Sequence, residues 1–323
     1  MSLKVFVLTD DRAGNSNQAI ALAKLLGFDY EEKRLEYNKL AALPFFFKNG
    51  FGILNKKSAE HLIQGKPDII ICAGRRAASI ALALKDKNRS TKIIQILGSQ
   101  KNYKLFDLVI LPEHDRKPFI SYPDNVIFTP LALSFFSPSE LEQESLKWQA
   151  VLVEYKQPYL AVLIGGNSKK CKFKEKHITE FINNVTNIAE NYSGSLLITS
   201  SRRTPVALVG KLKQALEKTE ASYFLYEPEK YANNPYKAFL SNAEAILVTG
   251  DSISMCSEAC SLGKPVFIYA PRSMLSSKHT AFVKHLFKVG LAVPISNEFE
   301  PFTPLKHNYT QILIENIKQR LHL

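Results

Sequence analysis

Strand-length apolar runs recur through the chain, and most are followed by a small polar turn and then a helical pattern. In the first half they are Leu3–Leu8, Ile69–Cys72, Lys92–Ile96, Leu108–Leu111 and Val126–Phe128. Each is short and rich in branched side chains, as buried parallel strands are. Helical patterns stand between several of them, at Asn17–Leu26 (ended by Gly27 as a C-cap) and Arg76–Leu84. The second half restarts the pattern with Tyr159–Ile164, Ser195–Thr199, Tyr223–Tyr226, Ala245–Val248 and Val266–Tyr269. Helices are expected near Lys174–Glu190, Pro205–Glu217, Ser254–Leu262 and His279–Val289. Such alternation predicts an α/β fold of parallel sheets covered by helices on both faces.

The expected division is a first domain over 1–137, a linker helix over 138–157 and a second domain over 158–323. Ser139 and Glu142 stand at capping-box spacing at the head of the linker helix, and residues 308–323 read as a terminal amphipathic helix. At 323 residues the chain is long enough for two cores. No stretch approaches the roughly 20 apolar residues that cross a bilayer. The opening run, ended by acids, reads as a first strand and not as a signal peptide. Four cysteines form no disulfide framework, and Cys256 and Cys260, four apart on one helix face, are expected to be packed. A cytoplasmic protein is expected.

Ligands of open α/β sheets bind beyond the carboxyl ends of the strands. After the first run comes "TDDRAGNSNQA", with Asp10, Asp11, Arg12, Gly14 and Asn17 between strand and helix. After Cys72 comes "AGRRAAS", which puts Arg75 and Arg76 at a helix N-terminus, the unfavourable end of the macrodipole for cations. A bound anion or an acid from elsewhere would resolve that conflict. His114 and Asp115 follow the fourth run, where a histidine can serve as a base.

The second half carries phosphate-type chemistry after three of its runs. Gly165, Gly166, Asn167 and Ser168 follow the first, and paired glycines let backbone N–H groups approach a phosphate. Ser201, Arg202, Arg203 and Thr204 follow the next, with Pro205 starting a helix. "TGDSISMCSEACSLGKPV" places Asp251, Ser252 and Ser254 before a helix and Glu258 one turn along it. Hydroxyls at a helix N-terminus suit a diphosphate, and a carboxylate one turn on suits paired sugar hydroxyls. The ligand so described is a nucleoside diphosphate, expected to be sugar-linked. A net charge of +12 adds anionic partners to the possibilities, but the basic residues are scattered and no nucleic-acid motif is present.

"SEACSLGKPV" resembles the donor-site segment of GT-B glycosyltransferases, an acid at a helix start followed by small residues and Gly-x-Pro before a strand. In that fold the acid binds the nucleotide ribose, which maps to Glu258. The whole chain resembles the mitochondrial fission ELM-type family, which has many bacterial members. The matching stretches are "LTDDRAGNSNQA", "PDIIICAGRR", "VLIGGNSKK", "TSSRRTP" and "TGDSISMCSEACSLGKPV". Asp11 departs from the glycine expected there, which makes Asp10 the first candidate for a function.

The resemblance implies two Rossmann-like domains with parallel sheets facing a central cleft that closes over its ligands. It also implies a nucleotide-sugar donor on the second domain, an acceptor on the first and no catalytic metal or separate cofactor. Asp10, with His114 and Asp115 behind it, is the expected acceptor base. Arg12, Gly14, Asn17, Arg75 and Arg76 form a further expected anion site. The alternative is a non-catalytic adaptor on the same scaffold, since a fold does not fix a function. "LAALPFFFKNGFGILNKK", residues 40–57, reads either as core or as an apolar loop flanked by lysines. In the second case it would meet an anionic membrane surface at the inner face of the cell membrane, where a lipid-linked acceptor would lie.

Overall fold

The computed structural model describes residues 3–42, 50–63, 65–98, 102–295, 302–304 and 308–322. Phe45, Phe46, Phe47 and Lys48, the centre of the expected membrane loop, lie outside the described residues. Two compact units emerge. One spans Met1–Phe135 together with His307–Leu323, and the other spans Phe136–Lys306.

The first unit runs β1 (Val5–Thr9), α1 (Ala13–Leu25), β2 (Tyr30–Arg34), α2 (Lys56–Ile63), β3 (Ile69–Ala73), α3 (Gly74–Lys87), β4 (Lys92–Ile96), β5 (Leu108–Pro112) and β6 (Val126–Thr129). All pairings are parallel, in the order β2-β1-β3-β4-β5-β6. Alternate residues feed two cores. Phe6, Leu8, Ile70 and Cys72 pack under α3, and Val5, Val7, Ile69 and Ile71 pack under α1. Burial on both faces explains why β1, β3 and β5 read as unbroken apolar runs.

The second unit runs α4 (Pro138–Leu152), β7 (Tyr159–Ile164), α5 (Glu175–Asn191), β8 (Ser195–Ser200), α6 (Val206–Leu216), β9 (Ser222–Leu225), α7 (Tyr236–Asn242), β10 (Ala245–Thr249), α8 (Ile253–Ser261), β11 (Val266–Tyr269), α9 (Ser277–Lys288) and β12 (Val293–Pro294). Its parallel sheet has the order β12-β11-β10-β7-β8-β9. That is the doubly wound order of dinucleotide-binding domains, with the reversal between β7 and β10. In the first unit the reversal lies between β1 and β3.

Two boundaries differ from the sequence reading. The terminal helix α10 (Tyr309–Leu321) belongs to the first unit. Its stripe Leu313, Ile317 and Leu321 is buried against Val5, Val7 and Ile110. The helix over 138–152 is an integral part of the second unit, where Trp148 packs on Phe224, Tyr226, Tyr231 and Phe239. It is capped by Ser137, not Ser139: the Ser137 hydroxyl accepts the Glu140 N–H at 3.0 Å. Pro138 at the first helical position fixes φ and lacks the donor that would otherwise be orphaned there. No helix among the described residues is long and apolar enough to cross a membrane.

Candidate functional site

In the first unit, chain reversal brings the ends of β1 and β3 together. Gly74 opens α3 at φ +77°, a conformation that strains any L side chain, and a Cβ there would also sit 2.6 Å from Asn15 Nδ2. Arg76 is drawn back across the switch point and pairs with Asp10 at 2.9 Å and with Asp11. Its guanidinium lies over the Tyr37 ring at 4.2 Å. For Arg76, the acid that offsets a cation at a helix N-terminus is therefore internal. Asp10 is engaged on both oxygens: Oδ1 accepts the Arg12 N–H at 2.8 Å, and Oδ2 accepts from Arg76 and from the Tyr37 hydroxyl. With its side chain only 3% exposed, Asp10 is built into an ion pair. Arg12 is the N-cap residue of α1, and Gly14 and Asn17 lie exposed within that helix, so Asn17 does not cap it. Arg75 is the second residue of α3.

His114 and Asp115 lie in a short 3-10 turn after β5. His114 Nε2 is 4.0 Å from Asp115 Oδ1. Three strand steps separate β1 from β5, roughly 14 Å, so this pair and Asp10 do not form one catalytic cluster.

In the second unit the loops after β10, β7 and β8 are spatial neighbours, because those strands are adjacent. They are stitched to one another. The Gly165 N–H donates to Thr249 Oγ1 at 2.7 Å, the Gly166 N–H to Asp251 Oδ2 at 2.8 Å, and the Asn167 N–H to the Arg203 carbonyl at 2.9 Å. The Ser168 N–H closes a tight turn on the Cys171 carbonyl at 2.9 Å. The paired glycines thus serve close packing. A Cβ on Gly165 would lie 2.4 Å from both Asp251 carboxylate oxygens, and one on Gly166 would lie 2.1 Å from the Arg203 carbonyl carbon. The N–H groups expected to cradle a phosphate are already bonded within the protein.

Other candidates are organisers as well. Asn167 Oδ1 accepts the Phe173 N–H at 2.8 Å, and Ser168 Oγ accepts the Cys171 N–H at 3.0 Å. Thr204 Oγ1 bonds the carbonyls of Ile164 and Gly165 and accepts the Ser201 N–H. Ser252 is the N-cap of α8, accepting the Met255 N–H at 3.4 Å. Asp251 is 3% exposed. Burial pushes its pKa up, against the Thr249 and Gly166 hydrogen bonds that favour the carboxylate.

What faces solvent is the complement of that frame. Arg202, Arg203 and Ser254 are exposed, and the first-turn N–H groups of α8 have no intrahelical partners. Beside them lies a hollow of about 480 Å³ lined by Ser200, Ser201, Arg202, Tyr226, Tyr236 and Met255, among others. Glu258 projects from the second turn of α8. Its Oε2 accepts from the Tyr236 hydroxyl, which fixes the carboxylate and leaves Oε1 with no donor among the described residues. Burial raises the Glu258 pKa, while Tyr236 and Lys237 oppose that rise. Tyr226, Asn234 and Tyr236 were not singled out from sequence. They carry no motif and reach the site only because α7 and the end of β9 fold beside α8.

Comparison with known proteins places this arrangement. The family model described as mitochondrial fission ELM1 matches residues 13–321. The chain belongs to the mitochondrial fission ELM1 family. The uncharacterized protein RP120 of Rickettsia prowazekii (strain Madrid E) is 36% identical over 320 residues, which are 90% of each chain. The mitochondrial fission protein ELM1 of Arabidopsis thaliana is 27% identical over 237 residues, which are 67% of this chain and 54% of the plant protein. Among solved structures, the UDP-GlcNAc 2-epimerase from Methanocaldococcus jannaschii matches with a TM-score of 0.55 at 11% identity, over 98% of this chain and 100% of that one. A UDP-glucosyltransferase from Polygonum tinctorium matches with a TM-score of 0.53 at 12% identity, over 99% and 93%. At these identities the likeness carries the fold, which is that of GT-B glycosyltransferases and epimerases. This ELM1-family chain thus has two Rossmann-like units, each with its switch point where the sequence motifs fall.

Proposed function

We propose that the second unit binds a nucleoside-diphosphate sugar and that the protein transfers the sugar to an acceptor. The observation that carries this reading is the set of groups around the β7/β10 switch point. Exposed arginines and the α8 N-terminus adjoin a hollow with aromatic walls, and a carboxylate with one unused oxygen stands one turn away. Arg202 and Arg203 would neutralise the diphosphate, strengthening their hold as charge develops on the leaving group. The first turn of α8 would donate to the same anion. Glu258 Oε1 would accept from a ribose hydroxyl, and the aromatic hollow would take the base. The solved proteins that share the fold include one named for UDP-GlcNAc and one for UDP-linked glucosyl transfer, which supports a nucleotide-sugar ligand.

Isothermal titration with UDP, ADP, GDP and CMP tests the reading, with wild type set against Glu258→Ala and Arg202→Ala/Arg203→Ala. Binding by the wild type that weakens at least tenfold in either variant is expected. No binding in the millimolar range, or equal binding by the variants, would refute it. A mass-spectrometric screen of nucleotide sugars then separates transfer from binding alone.

One observation favours the second reading, an adaptor on the same scaffold. The 165–168 loop satisfies its own N–H groups, so its structure is complete without a ligand. Nucleotide binding with neither hydrolysis nor transfer would select that reading.

A further inference from the structure

Glu258 is tied to a second helix. Its Oε2 accepts the hydroxyl of Tyr236, the first residue of α7, at 2.5 Å. Tyr236 also lines the hollow beside Arg202. α7 has only seven residues, too few to hold a helix unaided, so the contacts around it set where the phenol stands. At its start, Asn234 Oδ1 accepts the Tyr236 N–H at 2.9 Å. At its end, Lys264 Nζ donates to the carbonyls of Leu240, Ser241 and Ala243. Between them Ala238, Phe239 and Leu240 are fully buried, and Lys237 Nζ lies 2.5 Å from Glu140 Oε1 of α4.

A carboxylate with both oxygens open can accept two neighbouring sugar hydroxyls, one on each oxygen. That is the contact the sequence leads one to expect of Glu258. In the folded chain one of the two places is already filled, because the Tyr236 phenol donates to Oε2. The carboxylate is held in one orientation and Oε1 is left to the ligand.

The titratable groups around the carboxylate are few. From α7 come Tyr236 and Lys237, which favour its charged form against burial, the largest influence on its pKa. From α8 comes Cys256, two residues earlier and fully buried, a thiol that burial keeps neutral. α4 supplies Glu140, which is paired with Lys237.

We propose that Tyr236 is a positioning residue that makes Glu258 read a single ribose hydroxyl through Oε1, in place of the pair. The proposal rests on the nucleotide reading, which supplies the ribose. Tyr236 acts only through the carboxylate, which its hydroxyl keeps aimed and ionised. Protonation of Glu258 removes the charge from the acceptor, so binding weakens as pH falls through its pKa.

The first arm of the test uses wild type alone and does not depend on any variant folding. UDP, ADP, GDP and CMP are titrated calorimetrically beside their 2′-deoxy and 3′-deoxy forms. For a nucleotide that binds, loss of one hydroxyl should cost at least roughly tenfold and loss of the other about threefold or less. Equal losses would place both hydroxyls on the carboxylate and overturn the proposal. The second arm is a double-mutant cycle of Tyr236→Phe and Glu258→Gln with the same nucleotide. Tyr236→Phe should weaken binding about tenfold on its own and add nothing in the Glu258→Gln background. Its affinity should also fall away at a higher pH than that of wild type, since the hydrogen bond favouring the carboxylate is gone. Glu258→Gln supplies the pH dependence of the nucleotide's own phosphate. A merely structural role would give losses that add and a pH profile that stays in place, and either result sinks the proposal while the nucleotide reading stands. If none of the four nucleotides binds in the millimolar range, the nucleotide reading falls and the proposal with it.

Discussion

Asp251 offers a direct test of how the second switch point is held together. The side chain is buried and accepts the N–H of Gly166, which is itself buried. Truncation by Asp251→Ala leaves that donor unpaired. An orphaned buried donor costs about 1–3 kcal/mol, partly offset because a desolvated charge is removed as well. A loss of about 2 kcal/mol corresponds to a Tm drop of roughly 4–8 °C for a unit of this size. Asp251→Asn keeps an acceptor for Gly166 and removes the charge, so it should stay within about 1 kcal/mol of wild type. The pH dependence separates the two contributions. Because burial raises the folded-state pKa, the ionised carboxylate costs stability above that pKa, and the cost is relieved as pH falls through it. Wild type should therefore gain on Asp251→Asn between pH 7.5 and the acid range. Thermal unfolding of the three proteins at several pH values is the assay. Equal losses for Asn and Ala, or no loss for Ala, would refute the account of Asp251 as the acceptor that organises the loop.

Other consequences are as open to measurement. Gly166→Ala should cost about 3 kcal/mol or prevent folding, because its Cβ would meet the Arg203 and Thr204 backbone. Gly210→Ala, exposed within α6 with nothing near its Cβ, should instead stabilise by about 0.5–1 kcal/mol in denaturant titration. Lys264→Met should destabilise by about 1–3 kcal/mol, since Lys264 Nζ donates to the carbonyls of Leu240 at 2.8 Å, Ser241 at 2.6 Å and Ala243 at 2.6 Å, at the end of α7. Ile317→Ala, with its side chain fully buried in the first unit, should cost about 2–5 kcal/mol, and protease sensitivity should increase in the first unit's sheet rather than the second's.

The alternation of strand and helix was readable in the chain itself. β3, β4, β7 and β11 are fully covered or nearly so, and full burial imprints an apolar run on the sequence. β2 left no such mark. Its sequence Tyr-Glu-Glu-Lys-Arg sits at a sheet edge with most side chains partly or wholly exposed, and only pairing with β1 makes it a strand. The same contrast runs through the site. The small and charged residues after each strand were legible because the end of a parallel strand is where chain direction and chemistry meet. Which of them bind and which build was not legible, because a loop sequence does not reveal where its N–H groups go.

Local sequence therefore determined the element types, the parallel class and the positions of the motif loops, all of which depend on residues a few places apart. Tertiary structure decided the pairings between distant residues. It closed Asp10 onto Arg76, filled the space beside Gly165 with Asp251 and set Tyr236 on Glu258. It also assigned α10 to the first unit. The stripe Leu313, Ile317 and Leu321 requires an apolar partner, but hydrophobic burial is non-directional, so the stripe alone does not say which sheet supplies it.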